Sequence, residues 1–334
     1  MRLPAEWEPQ QLVLMTFPHR AGDWGEHLPA VSAAMLAAAR AIHAVTPVLM
    51  IVPDAEHFAA YATDFPGETL ELPANDCWIR DYGPITVFDG QNRPVWLDFT
   101  FNGWGDKFTA DLDNAVTEHL HRTRFADVER RVVDLVLEGG SMDSDGLGTL
   151  LTTTSCLLGA NRNGWEEPEK AEVILRQYFG KRTDVYWLTD GELLGDDTDG
   201  HVDTLARFLD ERTIAYVHCD DPKDPHYAGL REMKEDLGFL RTPYHKGYKL
   251  LALPLPPPIY DPTDSHRLPA TYANFLISNG TLFLPTYFGG KGTDQEAIRI
   301  LETYGKYRVI PVSCRPFLSQ HGSLHCLTMQ IPDW

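Results

Sequence analysis

Four short segments of the chain set reactive side chains among turn residues. Near the C-terminal end, Ser319-Gln320-His321-Gly322-Ser323-Leu324-His325-Cys326-Leu327-Thr328 offers a thiol with a histidine directly before it. Gly322 and Ser323 argue for a loop entering a strand, which puts Cys326 at the mouth of that strand. A cysteine so placed is most often packing. To act as a nucleophile it needs a positive charge close by to lower its pKa, and His325, His201 or a cationic substrate could supply one. The second segment is Asp197-Thr198-Asp199-Gly200-His201-Val202-Asp203-Thr204-Leu205-Ala206-Arg207-Phe208. Residues two apart on a strand share a face, so His201 and Asp203 are expected side by side there, a proton-transfer group next to an ion-pairing group. A His-x-Asp pair also serves metals, but no third ligand of clear metal spacing follows, and no metal is expected.

The third segment, Asn75-Asp76-Cys77-Trp78-Ile79-Arg80-Asp81-Tyr82-Gly83-Pro84, packs two carboxylates, an arginine and a tryptophan just before a strand. It reads as a salt-bridged turn, or as a face and an anion for a flat cationic group. The fourth, Leu137-Glu138-Gly139-Gly140-Ser141, ends an apolar run in a carboxylate with two glycines behind it. That is either a plain strand exit or a place where backbone comes close to a ligand.

The elements that must position these groups alternate between strand and helix. Val48–Val52 is a short apolar strand, and Ile85–Phe88 with Val95–Thr100 forms a hairpin around Asp89-Gly90-Gln91-Asn92. Further strands are expected at Thr149–Thr154, Ile214–His218 and Thr281–Pro285. Helices are expected at Leu28–Val45, Glu167–Phe179, Tyr227–Leu237 and Asp294–Tyr304. Gly148-Thr149-Leu150, Arg212-Thr213-Ile214 and Gly280-Thr281-Leu282 open alike, each followed by a helix, which looks like a divergent repeat of strands plus one helix. The prolines from Pro254 to Pro262 mark a loop. No linker divides the chain, so residues 1–334 are expected to form a single catalytic domain.

The 334 residues carry 48 acidic and 29 basic side chains, a formal charge of −19. That excess argues against nucleic acid and anionic membrane as partners and suits a cationic small molecule. The N-terminal residues lack the apolar core of a signal peptide, and no run of about 18 apolar residues occurs. Cys77, Cys156, Cys219, Cys314 and Cys326 are odd in number and widely spread, with no C-x-x-C pair, as expected of reduced thiols in a cytoplasm.

Together the segments resemble the agmatine deiminase and bacterial peptidylarginine-deiminase-like family of guanidine-modifying hydrolases. The resemblance spans essentially the whole chain. It runs through Pro4-Ala5-Glu6-Trp7-Glu8-Pro9, Asn75-Asp76-x-Trp78-x-Arg80-Asp81, Phe101-Asn102-Gly103-Trp104-Gly105, Glu138-Gly139-Gly140, Gly200-His201-x-Asp203, Asn279-Gly280-Thr281 and His325-Cys326. It implies a five-bladed pseudosymmetric α/β propeller. By position it implies Cys326 as nucleophile and His201 as general acid/base. Asp81 and Asp203 would grip the guanidinium, and Glu138 would stand beside the histidine. Asp76, Trp78 and Trp104 would shape the pocket.

The implied reaction is hydrolysis of a guanidino group to a ureido group and ammonia without a cofactor, and agmatine is the first substrate to consider. Protein-bound arginine, free arginine and amidino transfer are the alternatives. Free arginine would ask for a basic partner such as Arg80 or Arg162, and agmatine for an acid such as Asp196, Asp197 or Asp199. Agmatine-specific members favour Gly-Gly-Gly-Asn-Ile-His-Cys-Ile-Thr-Gln-Gln in the tail, whereas His321, Ser323 and Met329 stand here at three of those positions. Self-association is left open.

Overall fold

One supersecondary unit recurs through the computed structural model, which describes residues 1–334. Each unit is an antiparallel hairpin whose second strand continues, through a crossover helix, into a third strand parallel to it. The strands Ile85–Phe88, Pro94–Thr100 and Glu129–Val136 form one such sheet. The strands Met142–Ser144, Thr149–Thr153 and Asp184–Leu188 form the next, and Ala206–Asp210, Thr213–His218 and Lys249–Pro254 the third. A fourth joins Leu276–Ser278, Thr281–Thr286 and Arg308–Ser313. The crossover helices are Val116–Thr123, Pro168–Phe179, Tyr227–Phe239 and Thr293–Tyr304.

The fifth sheet draws on both ends of the chain. Its strand Gln10–Thr16 runs parallel to Val48–Ile51 across the helix Leu28–His43, and antiparallel to Met329–Pro332. The short strand Glu68–Leu70 extends it. In the helix, Val31, Met35, Leu36, Ala38, Ala39 and Ile42 are buried, a stripe at three- and four-residue spacing that packs on the sheet. The expected strands and helices agree with these elements to within two residues at each end. The proline stretch holds a small extra hairpin, Ile259–Tyr260 with Arg267–Leu268.

Two local expectations need correction. Val202–Thr204 is a single 3-10 turn, not a strand, with His201 extended just before it. Asp199 and Gly200 both take positive φ, so the chain reverses there and the strand starts only at Ala206. Cys326 likewise lies in a 3-10 turn, His325–Leu327, before the strand Met329–Pro332. All five cysteines are free and buried, and no helix is long and apolar enough to cross a membrane.

Ile331 is fully buried in the strand that joins the two chain ends. Ile331→Ala is expected to cost about 2–5 kcal/mol in urea unfolding. Val132, 71% exposed on the strand Glu129–Val136, is expected to tolerate alanine within about 0.5 kcal/mol.

Candidate active site

Three of the four segments line one cavity of about 150 Å³, walled by Asp76, Trp78, Asp81, Trp104, His201 and Cys326. Asp203 and Glu138 are fully buried directly behind it. Asp81 sits in the single helical turn Ile79–Tyr82. One of its oxygens accepts from Gly140 N–H at 2.9 Å and the other from Trp104 Nε1–H at 2.9 Å. Trp104 reaches it from four consecutive residues with positive φ, Gly103 to Asp106. A tryptophan in the left-handed region is strained, as side chains held for function often are. The two glycines after Glu138 follow from crowding. A β-carbon on Gly140 would stand 2.6 Å from His201 Nδ1 and 2.9 Å from Asp81 Oδ1. Trp78 lies with its ring against the backbone of Gly322, where a β-carbon would come within 2.1 Å of the indole.

The groups around the cavity are held in unequal protonation states. Burial alone would lower the His201 imidazole, but Asp81, Cys156 and Glu138 outweigh it and hold it well above its ordinary value. Its Nδ1 is 3.7 Å from Asp81 Oδ1, and its buried Nε2 has no hydrogen-bond partner. Burial, then Asp203 and Asp81, push the Cys326 thiol well up. For Asp203, burial is outweighed by His325, whose Nδ1 donates to Oδ2 at 2.7 Å, and the carboxyl is lowered. Asp203 Oδ1 is buried without a partner. One oxygen is thus fixed by the protein and the other is not. Glu138 Oε1 accepts from Arg162 Nε at 2.6 Å with both side chains fully buried. Burial pushes the Glu138 carboxyl up, and His201 and Arg162 oppose that rise.

Several positioning residues were not read from the sequence. Glu6, inside the Pro4–Pro9 motif, reaches the centre of the molecule. It accepts from His325 Nε2 at 2.6 Å and Arg207 Nη2 at 2.8 Å, and lies 3.8 Å from Arg80. His325 is therefore held at both ring nitrogens, by Asp203 and by Glu6. Arg207, fully buried, adds Asp143 at 3.3 Å and the Phe275 ring at 4.9 Å. Asn274 Oδ1 accepts from His325 N–H at 2.9 Å and lies 3.4 Å from Cys326 Sγ, so it holds the turn that carries the thiol. Glu6 stood in a quoted motif, but Asn274 carried no signal beyond a polar residue among apolar ones. The Asn279-Gly280 motif is a hairpin turn with both residues at positive φ, and Asn279 ties Gln10 and Thr46.

The outer wall is acidic. Asp23, Asp196 and Asp197 line it with Asp76, His321 and Gln320. Asp23 was not anticipated. Asp199 is not at the cavity, because Lys107 and Arg162 engage it at 2.7 and 3.0 Å. Asp196 is occupied by Thr198 and Gly200 N–H. Arg80 and Arg162 are both turned away into buried ion pairs, and no arginine or lysine lines the cavity. Of the three tail departures, His321 lines the cavity and stacks on His266 at 5.3 Å. Ser323 bonds the Tyr287 hydroxyl at 2.8 Å, and Met329 packs beside Arg80.

Residues 2–332 match the model of the Porphyromonas-type peptidyl-arginine deiminases. The chain belongs to that family. Membership places this deiminase-family chain among hydrolases of carbon–nitrogen bonds in linear amidines. It is 34% identical to the agmatine deiminase of Stutzerimonas stutzeri (strain A1501), over 99% of this chain and 95% of that protein. Among solved structures, a cysteine-to-serine form of C. jejuni agmatine deiminase with substrate bound is 36% identical with a TM-score of 0.92, covering 99% of this chain and 96% of that one. The agmatine deiminase of Enterococcus faecalis is 29% identical with a TM-score of 0.90, at the same coverage. A dimethylarginine dimethylaminohydrolase, 15% identical with a TM-score of 0.52, covers 96% of this chain and all of that one, a likeness of fold alone.

Burial pushes the Glu6 carboxyl up, but Arg207, His325 and Arg80 outweigh it and hold it far below the usual carboxylate range. Its folded value is thus below its unfolded one, so it stabilises the fold above about pH 4.5 and that contribution fades as pH falls. Glu6→Gln is expected to lower stability at pH 7 by about 3 kcal/mol and to flatten the acid side of the stability–pH curve, read by urea unfolding from about pH 7 down to about pH 3.

Proposed function

We propose that this chain hydrolyses agmatine to N-carbamoylputrescine and ammonia through a covalent adduct on Cys326. The observation that carries the reading is the asymmetry of the cavity. A thiol, an imidazole and the Asp81 carboxylate converge at its inner end, Asp203 lies buried behind them with one oxygen unpaired, and no basic side chain other than histidine faces the interior. A guanidinium supplies the missing cation there. The agmatine deiminases that this chain resembles over nearly its full length point the same way.

The reaction follows from the residues. Asp81 and Asp203 pair with guanidinium nitrogens and hold the central carbon against Cys326 Sγ. The bound cation offsets the two carboxylates that hold the thiol up, and so favours the thiolate. The thiolate adds to the carbon, and the His201 imidazolium gives its proton to one nitrogen, which leaves as ammonia. An S-alkyl-thiouronium remains. Neutral His201 then takes a proton from water as its oxygen adds to the same carbon. Collapse expels the thiolate, the hydroxyl proton goes to ammonia by way of solvent, and a ureido product departs.

The distal end of the substrate selects agmatine. Its free ammonium would face Asp197, Asp76 and Asp23, whereas the α-carboxylate of free arginine would meet those acids with no cation to pair. The arginines considered as partners for that carboxylate, Arg80 and Arg162, are spent inside the protein. A cavity of this size takes a small ligand and leaves little room for a folded polypeptide's backbone.

Residues 1–334 act as one catalytic domain in this reading, and the five sheets surround the site as the blades of a five-bladed propeller. The pairing of Gln10–Thr16 with Met329–Pro332 supports closure, since it joins the first unit to the last. The medium of a reduced cytoplasm suits five free thiols.

Cys326→Ser is expected to abolish ammonia release from agmatine in a guanidine panel that includes free arginine and a blocked arginine peptide, while leaving the melting temperature within a few degrees. Near-normal turnover would sink the covalent mechanism. Asp203→Asn is expected to lose about 3 kcal/mol of transition-state stabilisation, roughly a hundredfold in kcat/KM. Burial raises the carboxyls of Asp76 and Asp197, each to about 6. Both lose charge as pH falls through that value, so KM for agmatine should rise steeply from about pH 7.5 to about pH 5.5. A KM that stays flat over this range would remove them from substrate binding.

A further inference from the structure

Glu138 makes no hydrogen bond with His201 in this structure. Its Oε1 is taken by Arg162, and the only other side-chain partner of the carboxylate is a second buried thiol, that of Cys156, with Sγ 3.9 Å from Oε2. Sγ, a carboxylate oxygen of Glu138 and a ring nitrogen of His201 all lie within 4.8 Å of one another, and all three residues are buried. His201 is 1% exposed, and its Nε2 has no partner.

The backbone holds this corner closed. Thr153 Oγ1 accepts from Cys156 N–H and donates to the carbonyl of Gly200, the residue before His201, at 2.7 Å. Gly200 passes so close that a β-carbon there would be 2.6 Å from Ser155 Oγ. Thr204 Oγ1 bonds the His201 carbonyl at 2.8 Å from the other side. The thiol and the imidazole are therefore fixed relative to each other by Thr153, which lies outside the substrate cavity, and by Thr204 at its wall.

We propose that Cys156 is a positioning residue that links Glu138 to His201, its sulfur accepting from an imidazole N–H while its own S–H donates to the carboxylate. This rests on the reading of His201 as the acid/base. The donors run one way, from imidazolium to sulfur and from sulfur to carboxylate, and each proton has one place. Burial and Glu138 raise the Cys156 thiol, which keeps it an S–H donor. Cys156 exchanges no proton with substrate; it spans a gap that the carboxylate, held by Arg162, does not close. The sulfur stands 3.9 Å from the carboxylate and within 4.8 Å of an imidazole nitrogen, and the linkage stabilises the imidazolium that must protonate the departing ammonia.

The groups that face His201 are Asp81, Glu138, Cys156, Asp203 and Cys326. With the other four kept, Cys156→Ala and the similarly sized Cys156→Val are expected to lower kcat for agmatine about tenfold, the loss of one hydrogen bond to an ionised group, with KM little changed. The basic limb of the kcat–pH profile should move to lower pH by about one unit. Cys156→Ser, which keeps a proton between the two partners, should recover part of both. A titration that needs no turnover runs beside the kinetics. In full-length Cys326→Ser with labelled histidines, the His201 imidazole is followed by NMR with and without Cys156→Val. Its midpoint should fall by about one unit. If Val matches the parent in both measurements, Cys156 is packing and the proposal is overturned. A kcat loss with an unmoved pH limb, an unmoved His201 midpoint and no recovery in Ser overturns it as well. Should the chain hydrolyse no agmatine, the substrate reading fails on its own, and the histidine titration still decides the linkage.

Discussion

Carboxylates taken out of water are the constraint on which this structure depends. Glu6, Asp81, Glu138, Asp143 and Asp203 are all buried within one region of the protein, and each ion removed from water costs several kcal/mol unless it is well paired. The protein answers with arginines placed behind the cavity, none of them in it. Arg207 and His325 serve Glu6, His325 also serves Asp203, and Arg162 serves Glu138. The cavity is left with the negative charge that remains. Recognition of a guanidinium is in that sense the last ion pair of a network the fold has already built.

The same constraint explains the local backbone. Bringing Asp81, His201 and Asp203 around one point requires Gly140 to have no side chain, and orienting Asp81 requires Trp104 in a strained conformation. Turns carry every reactive group: Asp81 on one helical turn, Asp203 and Cys326 on 3-10 turns, and Glu138 just past a strand end. Short irregular pieces can aim side chains inward at angles that a continuous strand, with its strict alternation, does not allow.

That difference marks what could be read from the sequence. Strands such as Thr281–Thr286 and helices such as Thr293–Tyr304 are long enough for periodicity to show, and they agree closely. His201 and Asp203 were expected together for a wrong local reason: two-residue spacing suggested a strand, while positive φ at Asp199 and Gly200 turns the chain there. The reactive types in their turn-rich segments could be picked out because such residues are rare in loops without purpose. Glu6, Asp23, Asn274 and Arg207 could not, because their significance lies in partners far along the chain. His325 and Glu6 are separated by 319 residues, and no local pattern announces a pairing at that distance. Arg162 misled for the converse reason: an arginine available in sequence is unavailable once Glu138 has claimed it.

The strand Gln10–Thr16, paired on one side by Met329–Pro332, has a consequence for how the molecule comes into being. During synthesis the early strand emerges with that edge bare, and Glu6 emerges with none of its cations. The edge waits for nearly all of the remaining chain, as does Glu6 for His325, an arrangement of high contact order that favours slow final assembly. The thiol arrives with the same late segment that covers the bare edge. Nascent chains therefore pass through a long interval with an aggregation-prone edge, and the order of translation makes the Cys326 thiol only after nearly all of its surroundings.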